Sequence, residues 1–224
     1  SSLSCCNGAK FSNWILLKII FLIKRTSKNH IEKILSENSD WKVLDIGCGY
    51  GANKYATTIS DIVDYSDHYK DKTFVKITEK KLPFKDNEFD YIIASHVVEH
   101  VEDISYFLNE LSRVGKRGYI EVPTRLEDNL VFENKKAHIW HLVFDDVNNQ
   151  INISKKQQYL EPVLTVGTIK KLNEYFRESL VIELSWEDSI QFNMDDDNLK
   201  TQAQISILNL LKKYFSKKIR LLFK

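Results

Sequence analysis

Nine consecutive residues constrain this chain more than any other stretch. Val43, Leu44, Asp45 and Ile46 form a short apolar run, and Gly47-Cys48-Gly49-Tyr50-Gly51 follow at once. A run of strand length ending in glycines reads as a buried strand that turns sharply, because glycine admits positive φ and lets a ligand approach the backbone. The spacing Gly47-x-Gly49-x-Gly51 differs from the G-x-G-x-x-G of dinucleotide binders, and no lysine follows in a triphosphate-loop pattern. Asp45, two residues before the first glycine, disfavours a pyrophosphate but suits a ligand bearing an ammonium or sulfonium group.

The rest of the chain supplies partners for such a strand. Strand-like runs at 42–46, 61–64, 73–77, 89–94 and 119–122 alternate with helical patterns, and Ile104, Phe107, Leu108 and Leu111 repeat at helical spacing. This order implies a parallel sheet with right-handed crossovers. Residues 168–176 read as a helix. Runs 180–184 and 189–192 read as strands joined through Ser185-Trp186-Glu187-Asp188, an antiparallel edge hairpin. Residues 124–165 read as an insertion with a hairpin of 139–144 and 150–154 around Asn148-Asn149. Asp64 closes the run 61–64, where an acid at a strand tip accepts both hydroxyls of a ribose. Glycine loop and acid together point to a nucleoside-containing, non-phosphorylated ligand.

At this point the chain resembles class I S-adenosylmethionine-dependent methyltransferases of the type 11 small-molecule group. Leu44-Asp45-Ile46-Gly47-Cys48-Gly49-Tyr50-Gly51 is similar to the first motif of that family. Lys81-Leu82-Pro83-Phe84, running on to Phe89-Asp90, is similar to its second, and Ser95-His96-Val97-Val98-Glu99-His100-Val101-Glu102-Asp103 to its fourth-strand motif. The resemblance covers about residues 41–125. It implies an α/β, doubly wound Rossmann-like fold: a mostly parallel seven-stranded sheet with an antiparallel edge hairpin, plus N- and C-terminal helices. It implies S-adenosylmethionine as cofactor and S-adenosylhomocysteine as product. Asp45 and the backbone of Gly47, Cys48, Gly49 and Gly51 would hold the methionine moiety. Asp64 would hold the ribose, with Tyr65 beside the adenine. Ser95 and His96 would sit near the methionine amino group and the reactive methyl. Thr78 stands where the family usually has an acid for the adenine amino group, with Glu79 or a backbone carbonyl as substitute. The short stretch from Gly51 to Asp64 implies a clipped first crossover helix.

His96 and His100, four apart at a helix start with Glu99 adjacent, are the candidate catalytic residues, since a hydroxyl nucleophile needs a base and histidine titrates near neutrality. Two histidines and a glutamate could also bind a divalent metal, as some metal-assisted O-methyltransferases of the superfamily do. Those have a glutamate where His96 stands, and no residue is assigned here as a metal ligand. His138 and His141, flanking Trp140, read as hairpin residues more readily than as the roof of an acceptor pocket. The expectation is O-methylation of a small-molecule or glycan-type acceptor beneath the insertion and an N-terminal helix.

Charge frames the alternatives. Of 224 residues, 32 are Lys or Arg and 31 are Asp or Glu, but every acid lies between Glu32 and Asp197. Residues 1–28 and 198–224 carry bases alone, which divides the chain into an N-terminal helical segment 1–38, a main domain 39–197, and a basic amphipathic helix 198–224. An acidic body argues against nucleic acid as partner. Basic apolar ends admit a second reading, peripheral contact with a membrane and a lipid or lipid-linked acceptor. A third is a non-catalytic cofactor-fold binding module. The apolar stretch 14–23 rises only about 15 Å as a helix, too short to span a bilayer. Three cysteines form no disulfide framework, which favours a cytoplasmic setting.

Overall fold

The structure is a computed structural model that describes residues 22–195 and 204–222. Its centre is a sheet of seven strands. These are β1 (Leu22–Arg25), β2 (Val43–Ile46), β3 (Thr58–Asp61), β4 (Thr73–Lys76), β5 (Tyr91–Ser95), β6 (Arg117–Pro123) and β9 (Val181–Glu187), in the spatial order β1-β9-β6-β5-β2-β3-β4. β2 pairs in parallel with β3 and β5, and β5 with β6. β9 runs antiparallel to both β6 and β1.

Both faces of the central strands are covered, which explains their unbroken apolar character. Along β2 and β5 alternate residues point to opposite faces. Leu44, Ile46, Ile92 and Ala94 pack with Ile104, Leu108 and Leu111 of α2 (Ile104–Val114). Val43, Tyr91 and Ile93 pack with Ile31 and Leu35 of α1 (Lys28–Glu37). Leu44, Ile92, Leu108 and Leu111 are wholly buried, each removing about 1.5–3 kcal/mol of apolar exposure from water. Ser27 caps α1 by accepting the His30 N–H, and Asp103 caps α2 by accepting the Tyr106 N–H.

The insertion forms its own elements. After α3 (Arg125–Leu130) and α4 (Asn134–Ala137) comes the hairpin of β7 (Trp140–Asp145) and β8 (Gln150–Lys155), at the positions the sequence indicates. Leu142, Phe144, Ile151 and Ile153 join the same core as α2. The Ile139 N–H donates to the Glu99 carbonyl at 2.8 Å, and Trp140 Nε1 donates to the Val101 carbonyl at 2.8 Å. These bonds fasten the hairpin to the segment after β5.

Four expectations change. The edge hairpin of 180–184 and 189–192 does not form. β9 instead takes β1 as its outer neighbour, and β10 (Phe192–Met194) leaves the main sheet to pair in parallel with β8. The third core strand is Thr58–Asp61, three residues earlier than 61–64, because that register buries Ile59, whereas Ile62 and Val63 are 72% and 50% exposed. Residues 47–57 form turns and loop, so the first crossover helix is absent rather than clipped. Of the expected N-terminal helical segment, residues 1–21 lie outside the described residues, Leu22–Arg25 is a strand, and the helix is α1. Most of the acidic loop 195–197 also lies outside them, as do the first residues of the C-terminal segment. What is described there is α6 (Ile207–Leu222).

Candidate active site

From β2 the chain steps outward through β3 to β4, and from β5 outward the other way to β6 and β9. A crevice opens outside the carboxyl ends of the strands where the order reverses, the usual ligand position in such sheets. At its floor, Gly47 has φ 71° and Gly49 has φ 48°, values that L side chains rarely adopt. A Cβ on Gly47 would fall 2.7 Å from Val97 Cγ2. The Ser60 carbonyl receives the Gly47 N–H at 2.8 Å and the Cys48 N–H at 3.3 Å. The Gly49 N–H donates to Asp61 Oδ2 at 3.0 Å, and the Tyr69 hydroxyl donates to the Gly49 carbonyl at 2.9 Å.

Two cavities meet at Gly47. The larger, about 670 Å³, is walled by Asp61, Ile62, Ile77, Thr78, Glu79 and Val97 among others. The smaller, about 260 Å³, is walled by Asp45, Gly51, Asn53, Ser95, Tyr119 and Glu121 among others. Together they have room for a nucleoside joined to a short zwitterionic chain. Asp45, the glycine loop, Ser95, Thr78 and Glu79 are therefore brought together. Asp64 and Tyr65 are not. Asp64 is exposed and accepts the Ser66 N–H at 3.0 Å, and Tyr65 packs edge-on to Tyr50, with ring centroids 4.7 Å apart. The acid at the strand tip is Asp61.

Asp45 is buried, with Oδ2 accepting the Asn53 N–H at 2.6 Å. Burial pushes its carboxyl from 3.8 up to about 6, against the pull of that hydrogen bond and of Lys72. A cationic group entering the smaller cavity would restore the charge. Burial, with the Asp45 and Asp61 charges nearby, pushes the Cys48 thiol up to about 12 and leaves it unreactive.

Above this crevice stands a row of charges. His96 takes a left-handed backbone, φ 53°, an outlier of the kind that clusters at functional sites. Its Nε2 lies 3.1 Å from Glu121 Oε1 and its Nδ1 3.4 Å from Glu99 Oε1. Burial opposes the ring's charge, but the two carboxylates outweigh it and lift the pKa to about 10. Burial likewise opposes ionisation of Glu121, yet His96, Tyr119 and Arg177 hold it down at about 2. His96 is therefore an imidazolium at neutral pH, a fixed positive charge rather than a base. His100 places Nδ1 2.9 Å from the Ala137 carbonyl.

A third cavity, about 420 Å³, opens behind His96 and His100 beneath the insertion, where Glu127, Asn134, His138 and Lys170 also line it. Burial pushes the Glu127 carboxyl up to about 7, against the pull of the charged His96. Glu127 Oε2 has no hydrogen-bond partner. Next to this cavity the buried Asp128 accepts from His138 and His141, both at 2.7 Å, and from Lys156 at 2.8 Å. His138 and His141 thus belong to a buried ionic cluster, not to a solvated hairpin.

Asp61, Glu121 and Glu127 were not singled out from the sequence, and His138, weighed there as the roof of an acceptor pocket but read as a hairpin residue, lines the third cavity. Moving one strand assignment by three residues would have found Asp61. The spacing Thr124-x-x-Glu127 is the start signature of a helix, and the Thr124 hydroxyl does accept the Glu127 N–H at 3.3 Å. Nothing local marks Glu121.

A family model described as "Methyltransferase domain" matches residues 44–120. An uncharacterized protein of Methanocaldococcus jannaschii is 36% identical over 115 residues, covering 45% of this chain and 48% of that one. A "Ubiquinone biosynthesis O-methyltransferase" of Rickettsia bellii is 26% identical over 132 residues, covering 50% and 52%. The chain spans about half the length of the curated relatives it matches. Among solved structures, an S-adenosylmethionine dependent methyltransferase from Mesorhizobium loti aligns over 71% of this chain and 96% of its own, at 12% identity and a TM-score of 0.42.

Proposed function

We propose that this chain, whose residues 44–120 belong to the methyltransferase-domain family, moves the methyl group of S-adenosylmethionine to an oxygen of a small-molecule or glycan acceptor. One observation carries the reading: the larger of the two cavities that meet at Gly47 and the cavity beneath the insertion share His96 and His100 as their common wall. The smaller cavity takes the methionine end, with Asp45 and Ser95 facing its amino group. Asp61 takes the ribose hydroxyls, and Thr78 and Glu79 lie along the adenine side. The acceptor occupies the third cavity. Its oxygen attacks the methyl carbon as the carbon–sulfur bond breaks, and its proton passes to Glu127. His96, held as a cation, fixes the charge of the wall between the two ligands.

Titration calorimetry with S-adenosylhomocysteine tests the cofactor half. Binding that Asp45→Asn weakens is the expected result, and no binding by folded protein would sink the reading. Product release with a cell extract as acceptor source tests the acceptor half. Binding without release would favour a cofactor-fold binding module instead.

A second reading has its own support. α6 buries none of its residues, although Leu208, Leu211, Phe215 and Leu222 share one face and Lys212, Lys213, Lys217 and Arg220 another. Among the described residues no helix is long and apolar enough to cross a membrane. A helix of this kind lies in the plane of an anionic surface instead. The acceptor would then be a lipid or a lipid-linked sugar.

A further inference from the structure

We propose that the acceptor is a polyol of the sugar class, held through two neighbouring hydroxyls by Glu127 of α3 and Asn173 of α5 (Val166–Leu180), which makes Asn173 a specificity-determining residue. The proposal rests on the methyl-transfer reading and narrows its acceptor half.

Three observations carry it. The first is a pair of unsatisfied acceptors on one cavity. Glu127 and Asn173 both line the cavity of about 420 Å³ beneath the insertion. Glu127 is 5% exposed and its Oε2 has no hydrogen-bond partner among the described residues. The Asn173 Oδ1 is likewise buried without one. A carboxyl or amide oxygen that is out of reach of water and lacks a donor leaves its desolvation uncompensated, so such atoms are normally paired. Val131, at the end of α3, and Ile169 of α5 belong to one apolar cluster, which fixes the two helices against each other before a ligand arrives.

The second is that the other polar groups of the wall are engaged. His96 sets Nε2 against Glu121 Oε1 at 3.1 Å and Nδ1 against Glu99 Oε1 at 3.4 Å. His138 Nδ1 pairs with Asp128 Oδ1 at 2.7 Å, and His100 Nδ1 with the Ala137 carbonyl at 2.9 Å. Glu133 takes the Val166 N–H on both oxygens, at 3.3 and 3.2 Å. The donors that Glu127 and Asn173 lack therefore come from the ligand.

The third is the charge and texture of the same wall, which decide among ligands that bring donors. His96, an imidazolium, and Lys170 both line the cavity, so a polyamine would meet like charges where a hydroxyl does not. A simple phenol brings one donor and leaves the second oxygen unpaired. A sugar ring brings adjacent hydroxyls, and its C–H face suits Val131 and Ile169. The hydroxyl on Glu127 reacts. Its oxygen bonds to the methyl carbon as the carbon–sulfur bond breaks, the bonding pair stays on sulfur, and the hydroxyl proton passes to the Glu127 carboxylate. The hydroxyl on Asn173 stays free, so the product is a mono-methyl ether beside an unmethylated hydroxyl.

The test is transfer of radiolabelled methyl groups by the whole protein to two panels. One holds the methyl glycosides of glucose, mannose, galactose and rhamnose with myo-inositol, and the other holds phenol and para-hydroxybenzoate. The expected result is label in a polyol as its mono-methyl ether. Asn173→Leu should raise KM for that polyol at least about tenfold, and Asn173→Asp, which keeps an oxygen acceptor, should restore it. The deoxy analogue lacking the hydroxyl beside the methylated one gives the same readout on the wild-type protein, with a loss of at least about tenfold expected. Label in phenols alone, an unchanged KM in folded Asn173→Leu, or full turnover of the deoxy analogue overturns the proposal. So does the absence of label in both panels. Calorimetry with S-adenosylhomocysteine then separates the two levels: binding refutes the acceptor class alone, and no binding refutes the methyl-transfer reading.

Discussion

The Gly49 N–H donates to Asp61 Oδ2 across 3.0 Å, which makes the glycine loop and the tip of β3 one unit. The second oxygen of Asp61 takes the Val63 N–H at 2.9 Å, so the carboxylate is oriented before any ligand arrives. Asp61→Ala should therefore weaken S-adenosylhomocysteine binding at least about tenfold, or about 1.4 kcal/mol. Asp64→Ala should change it by no more than about twofold, as surface substitutions do. Calorimetry on the two variants decides between the acids. The opposite ranking would return the ribose to Asp64.

The glycines should separate in the same way. Gly47→Ala forces a side chain into positive φ and against Val97, and a loss of about 1–3 kcal/mol or more is expected in denaturant unfolding. Gly51 has no positive φ, and a Cβ there meets nothing within 4 Å, so Gly51→Ala should stay within about 0.5 kcal/mol of wild type. Similar losses in both would contradict the loop geometry.

Asp45 should make cofactor affinity depend on pH. Its folded pKa, about 6, lies above the usual 3.8, so the free protein favours the neutral form. That contribution to stability, about 3 kcal/mol, is complete below pH 3.8 and lost as pH rises through 6. A ligand with an ammonium group prefers the ionised carboxylate. Affinity should therefore climb between about pH 5 and 7, by at most about tenfold per unit. Asp45→Asn should flatten the profile, and an unchanged slope in that variant would exclude Asp45 as its source.

Glu127 should govern turnover rather than cofactor binding. Glu127→Gln is expected to lower kcat about 10²–10⁴-fold with S-adenosylhomocysteine affinity preserved. The wild-type rate should rise through about pH 7, following the Glu127 pKa, and the variant should lose that limb. A rate unaffected by the substitution would move the base elsewhere.

For α6, flotation with vesicles containing phosphatidylserine is the direct measurement. The whole chain should float, removal of residues 204–222 should abolish flotation, and added salt should weaken it. Each lysine near the surface contributes about 1 kcal/mol. Flotation unchanged by the truncation would reject the helix as anchor.

Local chemistry made much of this protein readable. Residues 43–51 announce a buried strand and a tight turn, since only glycine takes φ of 71° at Gly47 without strain. The period of Ile104, Phe107, Leu108 and Leu111 announces α2, since one face of a helix must be apolar to be buried. The β7–β8 hairpin is readable from alternation around Asn149, which takes φ 54° at the turn.

What the sequence determined by itself is therefore a mostly parallel α/β core and its glycine loop, because those depend on each residue's own dihedral and burial preferences. Tertiary structure alone decided the rest. β1 reaches β9 across more than 150 residues, pairing Leu22 with Glu187, and no local pattern names that partner. Ile62 and Val63 are as apolar as a strand, yet the register that buries Ile59 leaves them in solvent and puts Asp61 at the strand tip. His138 lies 39 residues beyond Glu99, and only the docking of the insertion brings it there. Strand partners and side-chain clusters are set by which long-range pairing buries the most surface, a property of the whole chain rather than of any window along it.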